Sequence, residues 1–325
     1  MARSRVFLAA ALVLLTQSAR GWPSASAARA AAPRSIEIAP GVLYPIVQYG
    51  TCTDCSAKGA PPCCGTDLAS LGGWLGAQVA AGGRAALDTQ LRYNQTERVG
   101  QALARSGIQR DRLWITSKVD PKVFCKAADP MATVLAMVRE SLRQLNVSFV
   151  DLALLHEPCD KSGKPSPADR QAWAALTEAV KLGLARATGV DKFSIAQIEA
   201  LAPQPSVLMG PLSMSKHDET TLAYCQRKGI IFNAYGVLHG CKFTDPRVVA
   251  LGAKYNASAS QVCMVWTRQR GCAMAVGVGT HAANWAQYTR EDLDIFRFNM
   301  TAAEIQTLNG LQQQVPVALK SDDET

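Results

Sequence analysis

Histidine is scarce in this chain of 325 residues, with four in all, and charged side chains make up only 18% against 48% hydrophobic. So low a charge with so much apolar matter excludes wholesale disorder, collagen-like sequence and coiled coil. The formal net charge of +8 is little help towards a nucleic-acid partner. Acidic residues are absent from the first 36 positions, which hold Arg3, Arg5, Arg20, Arg29 and Arg34. Setting those five aside leaves +3, too weak a field to argue for such a partner. No run after the N-terminus is long enough to span a bilayer of about 20 residues. No second CxxC and no nearby histidine accompany Cys52-Thr-Asp-Cys55, so a zinc module is disfavoured and no metal site is expected.

Ten cysteines are present, four of them crowded as Cys52, Cys55, Cys63 and Cys64 in one Gly/Pro-rich stretch. One or two disulfides pinning that stretch are the expected arrangement, with free thiols as the alternative. Cys125, Cys159, Cys225, Cys241, Cys263 and Cys272 sit mostly among apolar residues and are expected in the core. The N-terminus fits an oxidising route. Met1–Arg5 is basic, residues 6–15 (VFLAAALVLL) are apolar, and small residues follow to Arg20, the pattern of a signal peptide over 1–20. Residues 21–36 are rich in Ser, Ala and Arg, the composition of a transit segment or linker. The two in series resemble a bipartite plastid leader, and plain secretion is the rival destination. Sequons at Asn94, Asn146, Asn256 and Asn299 add little, being close to a chance count.

From residue 37 onward the chain alternates two patterns. Short apolar runs occur at 45–50, 85–88, 113–119, 150–156, 185–190, 206–209, 230–235 and 273–278. None alternates cleanly with polar residues, as befits parallel strands buried on both faces. Helical spacing fills the intervals at 67–81, 97–105, 131–145, 169–181, 195–201, 219–227, 245–255 and 258–270, with a closing helix at 301–311. Pro130, Pro167 and Pro246 stand near helix starts, where proline is tolerated. Eight such units favour a closed (β/α)8 barrel of the TIM type, and a single domain over 37–325, above an open doubly wound sheet. The open sheet would normally show GxGxxG after its first strand, and none is there.

Catalytic groups of such a barrel lie at the C-terminal ends of its strands. Those ends supply Asp88, Lys118 and His156 from three consecutive strands, with Tyr93 five residues beyond Asp88. Each alone has a structural reading; the four on one rim form a proton-transfer device. A phenol, ordinarily near pKa 10, is a poor donor at neutral pH unless an ammonium beside it favours phenolate. The carboxylate keeps the ammonium charged and aimed, and histidine orients a substrate oxygen. Carbonyl reduction is the chemistry that uses this set.

With those residues in place, the chain resembles the aldo-keto reductase family from about Val42 to Leu311. The resemblance is carried by Gly50-Thr51, by Asp88 to Tyr93 (DTQLRY), by Ile115 to Lys118 (ITSK) and by Val150 to Pro158 (VDLALLHEP). Further along come Gly189 to Phe193 (GVDKF), Tyr224 to Gly229 (YCQRKG), Ala234-Tyr235, Ala253 to Asn256 (AKYN) and Gln261-Val262. It implies a catalytic tetrad of Tyr93, Asp88, Lys118 and His156, with NADPH or NADH as hydride source. It implies cofactor contacts from Gly50, Thr51, Asp191, Lys192, Tyr235 and Leu238, with Tyr235 stacked on the nicotinamide. The implied partner is a small carbonyl substrate, and most relatives act as monomers or weak dimers.

Several family positions differ. The Ser-Asn pair that grips the carboxamide is Asp191-Lys192, the Asn-Gln pair is Leu208-Met209, and the Trp after the catalytic histidine is Glu157. Gly236-Val237-Leu238 replaces Ser-Pro-Leu. Gly277-Val278-Gly279 replaces the Pro-Lys-Ser of the 2′-phosphate site, whose arginine falls near Asn284. About ten extra residues carrying the crowded cysteines precede Asp88. A non-catalytic barrel with weakened cofactor binding, or a redox sensor built on those cysteines, are the rival expectations.

Overall fold

The computed structural model describes residues 33–52, 68–93, 95–277 and 284–312. The expected leader, apart from its last residues, lies outside them, as do Cys55, Cys63, Cys64, Asn94 and Val278. In chain order the strands are β1 (Ser35–Ala39), β2 (Val42–Pro45), β3 (Val47–Gly50), β4 (Ala85–Asp88), β5 (Leu113–Val119), β6 (Val150–Leu155), β7 (Ala185–Asp191), β8 (Val207–Pro211), β9 (Ile231–Tyr235) and β10 (Cys272–Val276). The helices are α1 (Leu68–Ala80), α2 (Thr96–Ser106), α3 (Pro121–Phe124), α4 (Pro130–Leu145), α5 (Pro167–Lys181) and α6 (Ile195–Glu199). They continue as α7 (Glu219–Lys228), α8 (Pro246–Tyr255), α9 (Ala259–Gln269), α10 (Trp285–Leu293) and α11 (Ala302–Asn309).

Strands β3 to β10 close into a parallel barrel in the order β10-β3-β4-β5-β6-β7-β8-β9, the (β/α)8 architecture expected. The strands are largely apolar on both faces because one face fills the barrel and the other meets the helices. The inner layer holds Ala86, Trp114, Leu152, Leu154, Ala187, Val207, Met209, Ala273 and Ala275; the larger outer layer includes Trp74, Trp173 and Trp266. All four of these tryptophans are fully buried.

The hairpin β1–β2 was not foreseen; the first strand was expected whole at 45–50. The hairpin's first strand starts at Ser35. The pair is antiparallel with a bulge after Glu37, and Gly41 supplies the positive φ of 72° that its turn requires. Ile38, Val42 and Tyr44 pack on the barrel's inner layer. The Tyr44 and Trp114 rings meet edge-on, with centroids 5.2 Å apart, so the hairpin plugs the end of the barrel remote from the rim.

Helix boundaries follow local chemistry. Asp129 and Asp245 cap α4 and α8, each followed by proline at the first helical position, and each helix ends on an asparagine in the left-handed region, Asn146 and Asn256. Two of the four sequon asparagines are therefore helix terminators. Capping boxes start α6, α9 and α11, at Ser194/Gln197, Ser258/Gln261 and Thr301/Glu304.

The six cysteines assigned to the core divide. Cys225 and Cys272 are buried free thiols, but Cys125–Cys159 and Cys241–Cys263 are disulfides. Cys125 and Cys159 follow β5 and β6, and Cys241 follows β9, so both bridges brace loops on the rim face. Their partners are 34 and 22 residues apart in sequence, too far for local patterning to pair them. Cys52 is also disulfide-bonded.

Candidate active site

Strand parity places the site. Inward-pointing positions repeat every second residue, so Ala86 leads to Asp88, Trp114 and Thr116 to Lys118, Leu154 to His156, Gly189 to Asp191 and Asn233 to Tyr235. These side chains, with Gly50, Tyr93, Lys192 and Leu238, line a cavity of about 700 Å³ at the C-terminal rim. Asp88, Lys118, His156 and Asp191 are 4%, 2%, 9% and 2% exposed. Thr51 alone of the expected site residues does not line the cavity. It is fully buried, and both its backbone N–H and its hydroxyl donate to the Asp88 carbonyl at 3.0 Å, so it fixes the rim end of β4.

The four residues expected to form the tetrad lie around one cavity. Lys118 Nζ donates to Asp88 Oδ2 at 2.6 Å and lies 3.5 Å from the Tyr93 hydroxyl. Tyr93 is carried by a short 3-10 helix, Leu91–Tyr93, immediately beyond β4. Burial alone would lower the Lys118 ammonium, but Asp88, Tyr93 and Asp191 outweigh it and raise it above its usual range. Burial likewise raises the Asp88 carboxyl against the pull of Lys118; the 2.6 Å contact fits an ion pair, and the rise of Lys118 is the direction consistent with it.

Tyr93 moves opposite to the sequence expectation. Burial raises its pKa more than Lys118 lowers it, and Asp88 and Asp191 push the same way as burial. The lysine's charge is largely spent on Asp88, so the resting phenol stays protonated. His156 is driven well below its usual range, first by burial and then by Lys118 and Lys192. It is neutral, and its Nδ1 has no partner among the described residues.

Asp191, at the position of the expected carboxamide-gripping serine, faces His156 Nε2 across 3.7 Å. Burial pushes its pKa up to about 8, helped by Asp88 and Glu157 and opposed by Lys118 and Lys192. Two neutral groups therefore face each other at neutral pH. Asp191 Oδ1 and Gln90 Oε1 are buried polar atoms without a partner among the described residues, and both residues line the cavity. Lys192 adopts a left-handed backbone, φ 61°. Its ammonium bonds Glu157 Oε1 at 2.9 Å, and Lys161 holds the other carboxylate oxygen.

Arg92 and His239 also line the cavity and were not singled out as site residues from sequence; Lys216, which the sequence offers as a stand-in cation for the 2′-phosphate, lines it too. The only signal for Arg92 was its place directly before Tyr93.

The Aldo/keto reductase family profile matches residues 74–313. An aldo-keto reductase of Mycolicibacterium smegmatis is 30% identical over 234 residues, spanning 69% of this chain and 76% of the relative. The NADPH-dependent codeinone reductase 1-2 of Papaver somniferum is 30% identical over 255 residues, covering 70% and 76%. The glyoxal reductase of Bacillus subtilis is 28% identical over 247 residues, covering 74% and 83%. Among solved structures, a Bombyx mori aldo-keto reductase in complex with NADP superposes with TM-score 0.71 at 24% identity, covering 87% of this chain and 94% of that one. Barrel, family profile and sequence relatives agree: the chain belongs to the aldo-keto reductase family.

Proposed function

We propose that this protein reduces an aldehyde or ketone to the alcohol, with a nicotinamide cofactor as reductant and Tyr93 as proton donor. The observation that carries the reading is the Asp88–Lys118–Tyr93 series, 2.6 Å and 3.5 Å, ending in a rim cavity beside a neutral histidine. Tyr93 rests protonated, so the donor is loaded before substrate arrives. As negative charge develops on the carbonyl oxygen, Tyr93 gives up its proton and Lys118 stabilises the phenolate left behind. Asp88 holds Lys118 charged and in place, and neutral His156 can donate a hydrogen bond to the same oxygen.

The nicotinamide end of a cofactor fits this wall. Asp191 Oδ1 and Gln90 Oε1 offer unpartnered polar atoms to an amide, Tyr235 offers a ring face, and Gly50, Lys192 and Leu238 complete the rim. When bound, the cofactor supplies a hydride to the carbonyl carbon. That relatives are a codeinone reductase described as NADPH-dependent and a glyoxal reductase supports the same class. The two disulfides on the rim face support the secretory route expected from residues 1–20, since disulfides persist in oxidising compartments. We take the monomer as the working unit.

The test is twofold. Tryptophan fluorescence titrated with NADPH and NADH should show saturable binding. Oxidation of the bound cofactor should then follow on adding a panel of aldehydes. Binding without turnover across the panel would favour a non-catalytic barrel, and absence of both would overturn the reading.

A further inference from the structure

Among the described residues, the charges around the cavity do not balance. Asp88 neutralises Lys118 at 2.6 Å, and Glu157 is shared between Lys161 and Lys192. Arg92 and Lys216 also line the cavity, and neither pairs with a carboxylate among the described residues. The two cations sit on opposite sides of the rim. Lys216 follows β8 and Arg92 follows β4, and the closed order sets those strands diametrically across the barrel. The residues expected to hold the cofactor beyond its nicotinamide, Leu238 and those from Gly277 onward, follow β9 and β10. Arg92 instead shares a single 3-10 turn with the proton donor.

We propose that Arg92 binds an anionic group on the substrate, so that the preferred substrates are carbonyl compounds carrying a carboxylate or phosphate. This deepens the reductase reading and rests on it. A half-buried guanidinium offers a planar fork of donors matched to two oxygens of a carboxylate or phosphate, and it is more weakly hydrated than an ammonium. With no carboxylate partner among the described residues, it binds an incoming anion without first breaking an ion pair there. Its charge is felt inside the site: it is among the groups that lower His156. Its neighbour Tyr93 ties the anion site to the reacting oxygen, so the anionic group serves as an anchor that positions the carbonyl against the donor.

The experiment compares matched substrates: 4-carboxybenzaldehyde against benzaldehyde, and D-glyceraldehyde 3-phosphate against D-glyceraldehyde. In the wild type, kcat/KM should favour the anionic member of at least one pair by about tenfold or more, mostly through KM. The pair that shows it identifies carboxylate or phosphate as the natural group. Arg92→Met should collapse that ratio towards one, Arg92→Glu should invert it, and Arg92→Lys should restore part of it. A general disturbance of the fold would lower both members equally and leave the ratio unmoved, which would overturn the proposal. So would a tenfold loss of NADPH affinity in Arg92→Met with the substrate ratio intact, because it would assign Arg92 to the cofactor.

Calorimetric binding of the product alcohol 4-(hydroxymethyl)benzoate, with benzyl alcohol as its neutral partner, keeps the two readings separable. If no aldehyde is reduced, the reductase reading fails, while a preference for the benzoate that vanishes in Arg92→Met still upholds the anion site. Equal affinity for the two alcohols, together with no anionic preference in either aldehyde pair, sinks it.

Discussion

Replacing Asp191 by Asn tests the electrostatics of the site through stability alone. The carboxyl is 2% exposed and held at about 8, against 3.8 for the free group. The folded protein therefore keeps a proton on Asp191 between about pH 4 and 8 that the unfolded chain has released. A group with a raised acid pKa costs stability as pH rises through that window, because the unfolded state binds fewer protons. Asparagine has nearly the same shape, cannot ionise, and carries no such slope. The groups facing Asp191, namely Asp88, Tyr93, Lys118, His156, Glu157 and Lys192, are common to both proteins, so their own titrations largely cancel in the difference. The stability of Asp191→Asn relative to wild type should thus grow by up to about 1.4 kcal/mol per pH unit across the window. The gain should level off above pH 8. Urea unfolding at half-unit steps from pH 5 to 9 measures it. Parallel stability–pH curves for the two proteins would refute the reasoning and return Asp191 to an ordinary ionised carboxylate.

Other predictions follow from other parts of the molecule. Removing either Cys125–Cys159 or Cys241–Cys263 by double serine substitution should cost about 3–4 kcal/mol in urea unfolding, from loop separations of 34 and 22. Unchanged midpoints would show the bridges to be dispensable. Asp151 is fully buried and binds Arg84, Arg110 and Arg186 at 3.3, 2.8 and 3.3 Å and the Ile115 N–H at 2.9 Å. Asp151→Ala should destabilise by about 3 kcal/mol, read as a fall in the unfolding midpoint. On the cofactor, the resemblance sets Val278 and Asn284 at the positions expected to carry Lys and Arg, and we predict that dissociation constants for NADPH and NADH lie within about tenfold of each other. A hundredfold preference for NADPH in the wild type would mean that another cation holds the 2′-phosphate.

The barrel was legible because a strand buried on both faces is mostly apolar, and eight such runs with helical intervals admit few architectures. Asp88, Lys118 and His156 stood out for a related reason: each breaks an apolar run near its C-terminal end, where a buried polar group needs a purpose. The hairpin β1–β2 was harder. Its signal, the Ile36-Glu-Ile38 alternation followed by Pro40-Gly41, is short and adjoins a leader-like stretch. The pairing of Cys125 with Cys159 depends on loops meeting above the rim, which no local pattern encodes. The upward shift of Tyr93 was missed because sequence shows that Lys118 is near but not how deeply the phenol is buried or how fully Asp88 claims the lysine.

The central claim, that Tyr93 is the proton donor of a carbonyl reductase, is tested most directly by Tyr93→Phe. The substitution removes one oxygen and leaves the ring in place. The account predicts that NADPH still titrates the tryptophan fluorescence with an affinity near wild type. Turnover of an aldehyde that the wild type reduces should fall by about a hundredfold or more, the contribution expected of a positioned acid. Near-normal turnover in the Phe variant would contradict it and place the proton source elsewhere.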